Sequence, residues 1–278
     1  MMQEKNLKTF DGMNVKYWVL KQKTGKPSLF FIHGLGGNST AWTNIIKIMS
    51  KNGFSTTKID LRGHGKSDKP LKKTYYSIDN MARDVYDIIK NEKLKNVVFV
   101  VHSFGGYVAY RYIARNYSEI KKVVLCNSPH TKPFKYSPSF LLRKFYWVML
   151  PFIWVISKSI FYDNRNYEYP IYSDLKELSE FKLILKDISG MPFKVYLWNY
   201  MLLFKNNSDI EKISKMKIPF LLITSYEDSF LSYKSLEELS KMLKNSKLRI
   251  IKGCDHETIL RKPKEVSEYI LNFLKKTG

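Results

Sequence analysis

The chain has little that would staple it, export it or hold it in a membrane. Two cysteines, Cys126 and Cys254, stand in 278 residues. That excludes a disulfide framework and points to a reducing compartment, with a cytoplasmic setting expected. No C-x-x-C pair or closely spaced His/Cys set suggests a structural zinc site. Negative charge is scarce: 25 Asp and Glu face 47 Lys and Arg, for a formal net charge of +22. Arginine is scarcer still, at eight of those 47, and the lysines are scattered along the whole sequence. A nucleic-acid binder concentrates its basic residues, Arg prominent among them, on one face or arm. No nucleic-acid partner is therefore expected, and the lysines read as a solvated surface. Long apolar runs are missing too. The opening "MMQEKNLKTFDGMNVKYWVL" has no apolar core after a basic start, so no export signal is read. The most apolar run, Phe145 to Ile156, is 12 residues long and holds Pro151, whereas a spanning helix needs about 20.

What is present is alternation. "NVKYWVL" (Asn14–Leu20) has strand periodicity, and "SLFFI" (Ser28–Ile32) is a short apolar run of the kind a buried parallel strand shows. Ala41 to Ser50 has helical spacing, and "FSTTKID" reads as a strand ending at Asp60. Ile78 to Lys90 carries one apolar helix face at Ile78, Met81, Ala82, Val85, Ile88 and Ile89. "VVFVV" (Val97–Val101) is a second buried strand, Phe104 to Arg115 reads as helix, and "KKVVLC" (Lys121–Cys126) as strand. From about Thr131 to Ser208 the rhythm stops and aromatics accumulate. It returns with "PFLLIT" (Pro219–Thr224), a helix near Ser232–Leu243, "KLRIIK" (Lys247–Lys252) and a closing helix over Pro263 to Lys275. The expected organisation is one α/β core with a parallel sheet and right-handed crossovers. Residues 1–130 form its first part, a mostly helical insertion covers 131–212, and 213–278 complete it.

"FVVHSFGGYVAY" (Phe99–Tyr110) places Ser103 where a buried strand gives way to a helix. Gly105 and Gly106 let that helix approach the sheet. This is the strand–turn–helix context of a nucleophile elbow, although Val101 stands where the G-x-S-x-G pattern has its first Gly. A nucleophilic Ser needs a base and an orienting acid. Of the five histidines, His102 adjoins Ser103 and is expected to point away, and His33 and His64 sit in glycine-rich turns. His130 opens the insertion and stays a candidate. His256 lies in the loop "GCDHETIL" after a predicted strand, over the sheet edge that carries Ser103, and is the chosen base. "ITSYEDSF" offers the acid: Asp228, with Glu227 as the fallback; Asp255 is too near His256 in sequence to reach its far nitrogen. Two backbone N–H groups are the expected oxyanion donors: that of Phe104, after the nucleophile, and that of Leu35 in "HGLGG", after the Ser28–Ile32 strand.

With these motifs in order, "HGLGGNSTAW", "DLRGHGKSD", "HSFGG" and "EDSF…CDH", the chain resembles the α/β-hydrolase fold superfamily, serine hydrolases of the esterase and lipase type. The likeness runs through almost the whole chain outside the insertion. It implies an eight-stranded, mostly parallel sheet flanked by helices, with residues from about 131 to 212 as a helical cap after strand six. It implies that Arg62, Gly63, His64 and Gly65 shape a loop near the site without joining the proton relay. The departures are Val101, at a point where the elbow is crowded, and Ser225, where many relatives carry Gly. Relatives that open epoxides or cleave carbon–halogen bonds place Asp at the elbow, so Ser103 favours acyl transfer to water, which needs no metal or organic cofactor.

The expected reaction is cleavage of a carboxylic ester of an apolar or lipid-like small molecule. The alternatives are another bond (amide, lactone, thioester or carbon–carbon) or a hydrolase-fold ligand receptor without turnover. The aromatic run between Arg143-Lys144 and Lys158 adds the expectation of a peripheral membrane contact through the cap.

Overall fold

Continuous apolar runs make the middle of the sheet. In the computed structural model, which describes residues 2–115, 119–131, 167–175, 177–204 and 209–275, β3 (Ser28–Ile32) and β5 (Val97–His102) are flanked by β4 (Thr56–Ile59) and β6 (Ile120–Cys126). Outside them lie β1 (Gln3–Lys8) and β2 (Asn14–Leu20) on one side, and β7 (Phe220–Ser225) and β8 (Ser246–Ile251) on the other. The eight strands run in the order β1-β2-β4-β3-β5-β6-β7-β8. β1 pairs antiparallel with β2, and β2 antiparallel with β4. Every pairing from β4 through β3, β5, β6 and β7 to β8 is parallel.

Both faces of this sheet are covered, which is why its central strands need no polar side. Val97, Phe99 and Val101 of β5 join Phe30 and Ile32 in one apolar layer, while Val98 and Val100 join Leu29 and Phe31 in the other. The first layer is closed by α2 (Ile78–Asn91) and α3 (Gly105–Ala114), the second by α1 (Thr43–Lys51) and α9 (Pro263–Lys275). In α2 the buried residues Met81, Ala82, Val85, Ile88 and Ile89 follow the helical period, and the Ser77 side chain caps the helix by accepting from the Asn80 N–H. Helix α3 is buried at every residue but Arg111, as a helix descending from the sheet edge into the core must be.

The expected strands and helices are found, most within a residue or two of the bounds read from sequence. The Ala41–Ser50 helix is divided: a 3-10 turn spans Ser39–Trp42 before α1 begins. Among the elements that escaped the reading are the edge strand β1 and the short helix α8 (Thr258–Arg261).

Of the expected cap, residues 132–166, 176 and 205–208 lie outside the described residues, and with them the aromatic run and its Arg143, Lys144 and Lys158 flanks. The described remainder includes α4 (Glu180–Ser189) and α5 (Phe193–Leu202). Helix α6 (Asp209–Ser214) spans the boundary drawn at 212. Its Ile210 and Ile213 are buried in the same apolar layer as α3, so this helix packs with the core. The last core helix is α7 (Tyr233–Met242). No helix among the described residues is long and apolar enough to cross a membrane.

Candidate active site

The carboxyl ends of β5, β6 and β7 and the loop after β8 converge on one point. β5 ends at His102, and the next residue, Ser103, sits at φ +47°. A residue with a Cβ pays for this left-handed conformation, and it persists because its neighbours fix it. The Ser103 N–H donates to the Cys126 carbonyl at 3.0 Å, and its own carbonyl accepts from the Gly106 N–H at 2.9 Å. Three glycines make room. A Cβ at Gly34 would lie 3.3 Å from the Ser103 Cβ; at Gly105, 2.8 Å from the carbonyl oxygens of Ile32 and His33; at Gly106, 2.7 Å from the Ser128 Cβ. Val101, flagged as a point of crowding, instead lies fully buried in the apolar layer beneath α3. The tight contacts of the turn fall on the glycines.

Ser103 Oγ donates to His256 Nε2 at 3.0 Å, and His256 Nδ1 donates to Asp228 Oδ2 at 2.7 Å. The carboxylate accepts at Nδ1, so the proton resides there and Nε2 presents a lone pair to the hydroxyl. Asp228 is held from four directions: Oδ2 also accepts from Asn127 Nδ2 at 2.8 Å, and Oδ1 accepts from the N–H groups of Phe230 at 2.9 Å and Leu231 at 2.7 Å. Burial opposes its charge, but the His256 partner and these donors hold its pKa below the ordinary carboxylate value. Burial likewise opposes an imidazolium at His256; the Asp228 carboxylate outweighs it and raises the His256 pKa above the usual histidine value. His102 is different. Burial and the adjoining His256 push it down to about 3, so it stays neutral, its Nε2 bonded to the His256 carbonyl at 3.2 Å.

Of the two expected oxyanion donors, Leu35 is at the cavity and Phe104 is fully buried beside Ser103. Leu35 lines the cavity above Ser103, and Phe104 precedes the first residue of α3. Neither of their backbone N–H groups donates to an acceptor among the described residues. The remaining candidates are engaged elsewhere. Glu227 accepts from the N–H groups of Gly253 and Cys254 at 3.1 and 3.4 Å. Asp255 pairs with Arg261 at 2.8 Å, and His130 contacts Ser235 Oγ at 3.3 Å. Ser225 Oγ donates to the Asp255 carbonyl at 2.7 Å. Arg62 is fully buried, bonded to Asp84 at 2.6 Å and Asp11 at 2.8 Å, and so braces its loop from behind.

The cavity over Ser103 has a volume of about 180 Å³. Its floor is the Gly34–Leu35 loop with Ser103 and His256, and its roof includes Leu183, Ile184 and Asp187 of α4 and Tyr196 and Tyr200 of α5. Helix α4 touches the floor twice. Glu180 Oε1 accepts from the His256 N–H at 2.9 Å. Asp187 sits so close over Gly36 (φ +76°) that a Cβ there would be 2.4 Å from its own Cβ.

Comparison with known proteins agrees with this architecture. Residues 27–151 match the family model of the alpha/beta hydrolase fold. The chain is 26% identical to "Epoxide hydrolase 1" of Caenorhabditis elegans, over 96% of this chain and 71% of that one. It is 26% identical to the "AB hydrolase superfamily protein YfhM" of Bacillus subtilis, over 90% of each. Among solved structures it superposes on an esterase from Exiguobacterium antarcticum with a TM-score of 0.77 and 16% identity, covering 99% of this chain and 100% of that one. The chain has the α/β-hydrolase fold, and these likenesses support a place in that superfamily.

In this α/β-hydrolase fold, sequence reasoning missed Asn127. It stands just after β6 at φ +44°, where its side chain donates to Asp228 and accepts from Thr258 Oγ1 at 2.6 Å. Its only sequence signal is that a small amide follows a predicted strand, a place shared by many turns. His102, His256 and Glu257 offer ligand atoms within 4.8 Å of one another. The His256 nitrogens, however, are already bonded to Ser103 and Asp228. The geometry of the site is that of an activated alcohol: a hydroxyl, a base that can take its proton, and a carboxylate that fixes the base.

Proposed function

We propose that the protein hydrolyses carboxylic esters of apolar or lipid-like molecules through an acyl-enzyme on Ser103. The observation that carries this reading is the unbroken chain Ser103 Oγ to His256 Nε2 (3.0 Å) and His256 Nδ1 to Asp228 (2.7 Å), set on the floor of a cavity whose roof includes apolar and aromatic side chains. Ser103 Oγ attacks the ester carbonyl carbon while its proton passes to His256 Nε2. The negative oxygen that forms accepts from the N–H groups of Leu35 and Phe104. As the carbon–oxygen bond to the alcohol breaks, His256 returns the proton to the leaving oxygen. Water then attacks the acyl-enzyme, His256 takes its proton, and the acid is released with Ser103 restored. The hydrolytic similarity of the relatives fits this class of reaction. The epoxide-hydrolase likeness does not extend to the nucleophile, because Ser103 has no carboxylate with which to form the alkyl ester of an epoxide-opening reaction.

A fluorophosphonate probe is expected to label Ser103, and p-nitrophenyl esters of increasing chain length are expected to be cleaved. Ser103→Ala should abolish both. Activity that survives this substitution would sink the mechanism.

A further inference from the structure

In a chain of net charge +22, no Lys or Arg lines the cavity among the described residues; two carboxyls do, Asp187 from the roof and Glu257 beside His256. Asp187 is fixed in place. Its side chain lies against Gly36, and the Tyr172 hydroxyl donates to its Oδ1, which leaves Oδ2 without a donor among the described residues. Around these carboxyls stand Tyr172, Tyr196, Tyr200 and Phe230, and the Phe230 ring meets the His256 ring edge-on at 5.5 Å between centroids. Carboxylates set in an aromatic wall recognise organic cations: the rings supply quadrupole attraction and dispersion, and the acids supply charge.

We propose that this cavity selects esters whose alcohol part carries an organic ammonium group, with Asp187 as the specificity-determining residue and Glu257 beside it. This rests on the esterase reading above. The alcohol half is assigned because its oxygen must lie within reach of His256 Nε2 to receive the proton, and Glu257 follows His256 directly in the chain. The acyl half then points toward Leu183, Leu203 and Leu231. The state of the two acids agrees. Burial, against the Tyr172 hydrogen bond and with Glu257 nearby, holds the Asp187 carboxyl well above the ordinary range. Burial, against His256, raises Glu257 to about 7. Acids so raised lack a countercharge, and a bound ammonium group supplies one.

The test pairs butyrylcholine with its uncharged isostere, 3,3-dimethylbutyl butyrate. In the wild-type protein kcat/KM for the choline ester is expected to exceed that of the isostere about tenfold or more, and in Asp187→Asn the ratio should fall to near one. A wild-type ratio of one or below overturns the proposal. So does a ratio that Asp187→Asn leaves intact, or a glycerol monobutyrate preferred over both, which would assign the acids to hydroxyl recognition. Titration calorimetry of tetramethylammonium into Ser103→Ala needs no turnover and separates the two levels. If neither ester is cleaved and the fluorophosphonate leaves Ser103 unlabelled, the esterase reading fails, while saturable tetramethylammonium binding still upholds the cation site. If the isostere is cleaved but the cation neither binds nor accelerates, only the cation site fails. Should Asp187→Asn not fold, Glu257→Gln carries the same comparison.

Discussion

Ser103 is held at φ +47°, a backbone that favours glycine. Ser103→Gly should therefore raise stability by about 1 kcal/mol in chemical denaturation while destroying turnover. Ser103→Ala, which keeps a Cβ, should show no such gain. The His256 pKa is raised chiefly by Asp228 acting against burial. Its neutral form is the base, so kcat/KM should rise with pH through an apparent pKa above the ordinary 6.5 and be lost as the imidazole protonates below it. Asp228→Asn removes the raising charge. It should lower kcat by about three to four orders of magnitude and move the acid limb of the remaining activity to lower pH. A limb that stays in place would mean that Asp228 does not set this pKa. Asn127→Ala should cost far less, about tenfold in kcat, because the two N–H donors on Asp228 remain. At this scale Ser103 and His256 were legible because each sits in a motif with glycine or apolar surroundings. Asp228 was legible only as one of two adjacent acids. What separates it from Glu227 is which way the chain turns after β7, and that is decided by the N–H groups of Phe230 and Leu231.

The elements that carry the site were read well where burial is two-sided or the period clear. β5 lies wholly within the core, as does β3 after Ser28, and α2 shows a clean apolar stripe. β1 was missed for the opposite reason. In "QEKNLK" only Leu7 is buried, and charge along an exposed edge strand hides its periodicity while guarding against edge pairing. The four residues of α8 are too few to show a period. Two devices seat these elements, and both can be tested by calorimetric or denaturant unfolding. Gly105→Ala places a Cβ 2.8 Å from two backbone oxygens, which cannot swing aside. It should destabilise by about 1–3 kcal/mol and lower activity as α3 is displaced from the elbow. Arg62→Ala strands two carboxylates, one of them, Asp84, fully buried. It should cost about 3–5 kcal/mol.

Over the whole molecule, the +22 charge and the cavity are of opposite character, and composition alone did not announce the second. The charge surplus is global, whereas a pocket's sign is fixed by a few residues that the fold brings together from α4, the loop after β8 and the turn after β3. Helix α4 also exposes apolar side chains: Phe181 at 68% and Leu185 at 51%, one turn apart, with Lys182 and Lys186 between and after them. The expected membrane contact therefore has a second place to rest besides 143–158. Co-sedimentation with vesicles containing phosphatidylserine is expected, weakening as salt rises and weakened again by Phe181→Ser with Leu185→Ser. Absence of binding to anionic vesicles would exclude it.

The Glu180 carboxylate that accepts from the His256 N–H makes α4 more than a roof. Because the His256 N–H donates to that carboxylate at 2.9 Å, the backbone of the base is anchored to this helix, and a change in the helix's position is also a change in the base's anchor. Glu180→Ala should accordingly depress kcat more than it raises KM.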